Sequence, residues 1–176
     1  RKIKLFDDKL MFNKKFNDFL NRDWIDVDKS DYKSILEFIS NHDTFFVKQN
    51  VGSGGNGIVK YNSKEIRDVE DFYQTIKGKS FLLEEAINQH ESLAEFNPTS
   101  VNTIRVVTIR DESEVHIMDA VLRMGNGDKS TDNFHQHGLA MKLDVKTGEV
   151  VSPAIDKSNN KYEYHPLSNK KLVGYV

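Results

Sequence analysis

The chain has no cysteine. That absence excludes a disulfide framework, a thiolate metal site and a cysteine nucleophile, and it suits the reducing cytosol. Proline is scarce, with three in 176 residues, while alanine is sparse and asparagine frequent, a composition typical of low-GC bacterial genes. Long apolar runs are also missing. The longest are a few residues, against the roughly 20 that a membrane-spanning helix needs. Residues 1–20 carry too many charges for a signal peptide. Net charge is small as well: 25 basic against 27 acidic residues leave −2, with both signs interspersed. No broad field draws nucleic acid, so any basic site is local. What remains is 38% hydrophobic and 30% charged, enough for one sizeable core or two small lobes sharing a cleft.

The hydrophobic period divides the chain. In "DDKLMFNKKFNDFL", Leu10, Met11, Phe12, Phe16, Phe19 and Leu20 fall near helical spacing, with Asp7 or Asp8 as cap. "KSDYKSILEFISNH" predicts a second helix, capped by Ser30 or Asp31. "TFFVKQ" and "GIVKY" then predict two strands around a glycine loop, followed by a helix over "RDVEDFYQTIKGK" that Gly78 stops and a buried strand at "SFLLEEAI". After a turn of helix in "ESLAEFNP" come strand-like runs at "SVNTIRVVTIR", "EVHIMDAVLRMG" and "GLAMKLDV". "DESE" links the first two as a hairpin and "KTGE" joins "AMKLDV" to "VVSPAID". This order predicts an α+β fold with mostly antiparallel sheets rather than a doubly wound one. The final "LVGYV" is an apolar run with no closing element after it.

Four groups of residues carry chemistry. Gly52, Gly54, Gly55 and Gly57, with Ser53 among them, allow successive N–H groups to cradle phosphate, and Lys48 brings a cation to the loop. A plain hairpin turn explains the glycines equally well, and neither a Walker A nor a Rossmann pattern is present. In "LLEEAINQHE", the Glu84 carboxylate, the Glu85 carbonyl and the Ile87 N–H can face one edge of adenine, with Glu91 in reach of ribose; an exposed acidic turn is the alternative. Arg105 and Arg123 lie on neighbouring strands as lone cations in apolar runs. They bind an anion, or pair across strands with Asp119, Glu112 or Glu114. In "STDNFHQHGLAMKLD", His135 and His137 at i and i+2 on a strand suggest a metal, but no third ligand accompanies them. Asn133 contacting a ligand, with the histidines lining it, is the other reading.

Taken in order, "DKLMF", "VKQNVGSGGNGI", "HESLAEFNPTSVNTIRVVTI", "AVLRMG" and "DNFHQHGLAMKLD" resemble the sugar-transfer-associated branch of the ATP-grasp superfamily over nearly the whole chain. The resemblance implies two α+β lobes clasping a nucleotide: a helical segment 1–43, a small lobe 44–87 and a larger lobe 88–176. It implies ATP and Mg2+ as cofactors and a small-molecule or glycan-linked carboxylate, activated as an acyl phosphate for an amine or similar nucleophile. The expected setting is surface polysaccharide or peptide modification in a bacterial cytoplasm. Lys9 and Lys48 match phosphate-binding lysines, Gly52 to Gly57 the flap, Glu84, Glu85 and Ile87 the adenine hinge, and Glu91 the ribose acid. Arg105 matches the residue near the transferred phosphate, with Arg123 and Asn133 as further contacts. Two departures stand out. His137-Gly138 replaces the branch's usual Gly-Gly, and the magnesium ligands, an Asp and a Glu-x-Asn, are expected beyond Val176. A nucleotide-binding module without catalysis, or a phosphotransferase acting on a hydroxyl, would carry the same motifs.

Overall fold

The computed structural model describes residues 3–52, 57–128 and 130–176. The chain packs as two units, Arg1–Ile87 and Asn88–Val176. The first is built on an antiparallel sheet of β1 (Trp24–Asp26), β2 (Thr44–Gln49), β3 (Ile58–Asn62) and β4 (Phe81–Glu85), ordered β1-β4-β2-β3. In the β2–β4 ladder Phe46 faces Glu84, Val47 faces Leu83 and Lys48 faces Leu82. Strand side chains alternate between faces, so Phe45, Val47 and Leu83 share one face while Phe46, Lys48, Leu82 and Glu84 share the other.

The apolar face is covered by two helices, α4 (Tyr32–Asn41) and α5 (Val69–Ile76). Ile35, Phe38 and Ile39 of α4 stand at i, i+3 and i+4 and bury against Phe45, Val47, Phe72, Ile76 and Leu83. Fully burying a side chain of this size contributes about 1.5–3 kcal/mol. Asp31 starts α4 by accepting the Ser34 N–H at 2.9 Å, and Asp68 starts α5 by accepting that of Asp71 at 3.1 Å. Beyond α5, Gly78 adopts φ +67°, the left-handed turn that ends a helix at least cost when the residue is glycine.

A short helix, α1 (Ile3–Asp7), precedes the single helix expected over 7–20, which is broken into two: α2 (Lys9–Lys15) and α3 (Asn17–Leu20). Asp8 restarts the helix by accepting the Met11 N–H at 2.8 Å, and the Phe16 N–H closes α2 on the Phe12 carbonyl at 2.9 Å. Of the apolar residues expected on its face, Leu10 alone is buried; Phe12 and Phe16 pack against each other with tilted rings and Phe19 is exposed. The three-residue β1 has no alternation to betray it in the sequence, yet it supplies one neighbour of β4.

The second unit opens with a turn of helix, α6 (Glu91–Ala94), and continues as an antiparallel meander of β5 (Thr103–Arg110), β6 (Val115–Met124), β7 (Leu139–Leu143), β8 (Ala154–Ile155) and β9 (Lys161–Tyr162). Leu122, Met124, Leu139, Met141, Leu143 and Ala154 point to the core with Phe96 and Leu172. Register places Arg105, Val121, Arg123, Ala140 and Lys142 on the opposite face. The strand expected over "VVSPAID" is reduced to β8, with Val150 held by an isolated bridge to Leu143. The apolar end folds back into this core: Tyr175 packs edge-on against Phe96 at 4.8 Å, and its carbonyl accepts the Val150 N–H at 2.8 Å.

Candidate functional site

Lys48 and Glu84 lie diagonally on the same face of the first sheet, and Lys48 Nζ bonds the Glu84 carboxylate. Glu84 is 4% exposed. A carboxylate buried this deeply requires compensation. Arg22 Nε lies 2.8 Å from its Oε1, and Asn13, itself buried, donates from Nδ2 to Oε2 at 3.3 Å. Burial pushes the Glu84 pKa up, but the charges and hydrogen bonds of Lys48 and Arg22 outweigh it and hold the carboxyl below its ordinary value. The carboxylate expected at an adenine edge thus has both oxygens engaged within the first unit, by Lys48, Arg22 and Asn13. Its oxygens turn inward and fix the lysine.

Lys9 is also committed. Its ammonium donates to the carbonyls of Gln49 (2.8 Å), Asn50 (3.3 Å) and Gly52 (3.1 Å), using the three protons it has. The Lys9 and Leu10 N–H groups add bonds to the Asn50 carbonyl and side chain. α2 is thus laced to the start of the glycine loop. Partial burial lowers the Lys9 pKa, and the nearby charge of Lys48 lowers it further. On the far side of the loop Gly57, at φ +69°, returns its carbonyl to the Gln49 N–H at 2.8 Å. Ser53, Gly54 and Gly55 lie outside the described residues.

At the end of β4, Glu85 uses its N–H on the Asp23 carbonyl and its side chain on the Asp23 N–H. Ala86 bonds the Thr44 carbonyl at 3.1 Å, whereas the Ile87 N–H has no partner among the described residues. In the second unit Glu91 is the exposed first residue of α6.

Arg105 and Arg123 are diagonal neighbours across the β5–β6 ladder. They line one cavity of about 290 Å3 with Asn133, Phe134 and His135. Arg123 is fixed by Asp132 at 2.9 Å, and Thr103 donates to the same carboxylate. Arg105 forms no ion pair among the described residues. The acids that could have paired with the arginines across strands are engaged elsewhere or exposed: Asp119 reaches Lys142 at 3.8 Å and Glu114 approaches His116. Asn133 caps a short 3-10 turn, Phe134–Gln136, by accepting the His135 N–H at 3.1 Å. His135 and His137 are consequently not on one side of a strand, which removes the spacing argument for a metal, already short of a third ligand. His137 takes φ +70°. Glycine is the natural occupant of such a position, which accounts physically for the branch's usual Gly-Gly.

Asp144 Oδ1 accepts the N–H groups of Lys146 (2.8 Å) and Thr147 (2.9 Å), closing a turn, and these bonds lower its pKa. It does not offer a hard-ion site, and no magnesium ligand set is assigned in this chain. Sequence reasoning missed Arg22 and Asn13. The signal was the second glutamate-bearing run "FLLEEA": an acid inside a buried strand requires more than one compensating donor.

A model of the sugar-transfer associated ATP-grasp family matches residues 1–176. None of the curated proteins matches the chain. Among solved structures, D-alanyl-alanine synthetase A from Vibrio cholerae O1 biovar eltor aligns at a TM-score of 0.47 and 12% identity, over 70% of this chain and 35% of that one. The chain therefore spans about a third of that protein's length. The two antiparallel α+β units with these motifs define an ATP-grasp protein. Within that class, the chain belongs to the sugar-transfer associated ATP-grasp family.

Proposed function

We propose that this chain is the nucleotide-binding part of an ATP-dependent ligase that activates a carboxylate, in the bacterial cytoplasm, for surface-glycan or peptide modification. The observation that carries the reading is the arginine face of the second unit. Arg105, with no acidic partner among the described residues, and Arg123, oriented by Asp132, line one cavity with Asn133, a preorganised anion surface. In the first unit, Lys48 is the cation for phosphate oxygens, and Glu84 and Arg22 set its position. The Glu85 carbonyl and the Ile87 N–H, which has no partner among the described residues, form the acceptor and donor for adenine, Glu91 serves ribose, and Lys9 fixes the base of the phosphate loop. Gly52, Ser53, Gly54, Gly55 and Gly57 supply that loop.

In the proposed reaction a carboxylate oxygen attacks the γ-phosphorus, the bond to the β–γ bridging oxygen breaks, and ADP leaves. An amine then attacks the acyl carbon, and phosphate departs with the electron pair. Arg105 and Arg123 offset the charge on the phosphoryl and carboxylate oxygens. A second reading, nucleotide binding without catalysis, is favoured by the turn that occupies Asp144. Hydroxylamine trapping separates the two: the full-length gene product with ATP and candidate carboxylates yields a hydroxamate if an acyl phosphate forms. ATP binding without hydroxamate for any carboxylate supports the module, and no ATP binding overturns both.

A further inference from the structure

The first unit contains a second cluster whose side chains the nucleotide reading does not use, since it takes only the backbone carbonyl of Glu85. Asp23 precedes β1, His42 caps the C-terminus of α4, and Glu85 ends β4. Their ligand atoms lie within 4.8 Å of one another, and this is the only grouping of three such side chains among the described residues. His42 Nδ1 lies 2.7 Å from the Phe38 carbonyl, its ring packs against Phe38 at 4.3 Å, and its side chain is 9% exposed. A carbonyl only accepts, so Nδ1 carries a proton, and in the neutral ring Nε2 is a bare electron pair. That nitrogen looks at two further acceptors, Asp23 Oδ2 at 3.2 Å and Glu85 Oε2 at 3.9 Å. Neither carboxylate has a lysine or arginine partner among the described residues. A proton on Nε2 would serve Asp23 alone; Glu85 Oε2 accepts the Asp23 N–H at 3.0 Å and lies 3.9 Å from the ring nitrogen, beyond its hydrogen-bond reach. A divalent ion serves all three.

We propose that Asp23, His42 and Glu85 bind a divalent first-row transition ion of the zinc class. The donor set of one imidazole and two carboxylates suits such an ion, and the bond from Nδ1 to a backbone carbonyl is the outer contact that usually orients a metal-bound histidine. Asp23 is 77% exposed and lines two surface cavities, so its carboxylate is free to swing inward and water can complete the coordination. The ion would tie the start of β1 and the end of α4 to the last residue of β4. This site does not depend on the nucleotide assignment, although it would stiffen the strand end from which Ile87 follows.

Cobalt(II) titration of the full chain, followed by visible absorption and displaced by zinc(II), tests the site. One ion per chain is expected. His42→Asn and Asp23→Asn should each weaken binding by at least about tenfold. Asp23 is on the surface, so its variant stays folded if the core variant does not. The hairpin tip gives the control: His116 also approaches two acids, Asp111 at 2.6 Å and Glu114 at 3.7 Å, but its side chain is 43% exposed against 9% for His42. His116→Asn should leave binding unchanged. Loss of binding in that variant, retention in Asp23→Asn, or no cobalt spectrum at millimolar metal overturns the proposal.

Discussion

Replacing Glu84 with Gln keeps the shape of the side chain and removes its charge. Arg22 and Lys48, with side chains 22% and 20% exposed, would then face each other across an uncharged amide. Breaking a buried ion pair from one side typically costs about 3–5 kcal/mol. Both cations retain some access to water, so the lower end applies, about 3 kcal/mol. For a chain of this size that corresponds to roughly 6–12 °C in Tm. Urea denaturation followed by circular dichroism at neutral pH reads the loss directly. The pH dependence supplies a second check. Because the folded pKa of Glu84 is depressed, its contribution is fully present above the unfolded value and disappears as pH falls through the folded one. The gap between wild type and Glu84→Gln should close in strong acid. A loss below about 0.5 kcal/mol at neutral pH, in the range of ordinary surface changes, would refute the account of Glu84 as a charge hub. So would a gap that stays constant down to the lowest pH at which the chain remains folded.

Lys48→Ala should weaken ATP binding by at least about tenfold in calorimetry, whereas Lys60→Ala, outside the proposed contacts, should not; equal effects would remove the nucleotide assignment. Arg105→Ala should lower pyrophosphate affinity without changing the melting temperature, while Arg123→Ala should lower both, since it leaves Asp132 buried without its cation. His137→Gly should stabilise the chain by about 0.5–1 kcal/mol in urea melts, as relief of left-handed strain exceeds the added freedom of the unfolded chain. Burial lowers the pKa of His165, whose Nε2 donates to the Gly125 carbonyl at 3.0 Å. Stability tied to it is present above its unfolded value of about 6.5 and is lost as pH falls through the lower folded pKa. Substitution by Asn should flatten that slope in pH-dependent melts.

Periodicity located what local burial determines. α4 and α5 carry one apolar face and their own caps, so spacing alone finds them, and the β2–β3 and β5–β6 hairpins follow from short links between apolar runs. The N-terminal helix keeps the Asp8 cap that its sequence offers but does not run on to Leu20, because the Phe16 N–H closes α2 on the Phe12 carbonyl and a separate turn of helix follows. β1 was invisible because three residues hold no period; what makes it a strand is the open edge of β4. At the site, the types were legible and the directions were not. Glu84 and Glu85 are adjacent in sequence, but alternation sends one to Lys48 and the other toward His42. Which face points where depends on register, and register is settled by contacts distant in the chain.

The order β1-β4-β2-β3 has a practical consequence for truncation. β4 is the most buried strand of its sheet and receives one of its two partners from residues 24–26. A chain shortened to begin at residue 44 would retain every glycine and every lysine after that point, yet expose one side of "FLLEE" as unpaired N–H and C=O groups. Such an apolar edge recruits other strands. The shortened protein is expected to gather in inclusion bodies, because it loses the edge partner of β4 together with the α4 residues Ile35, Phe38 and Ile39 that cover the sheet.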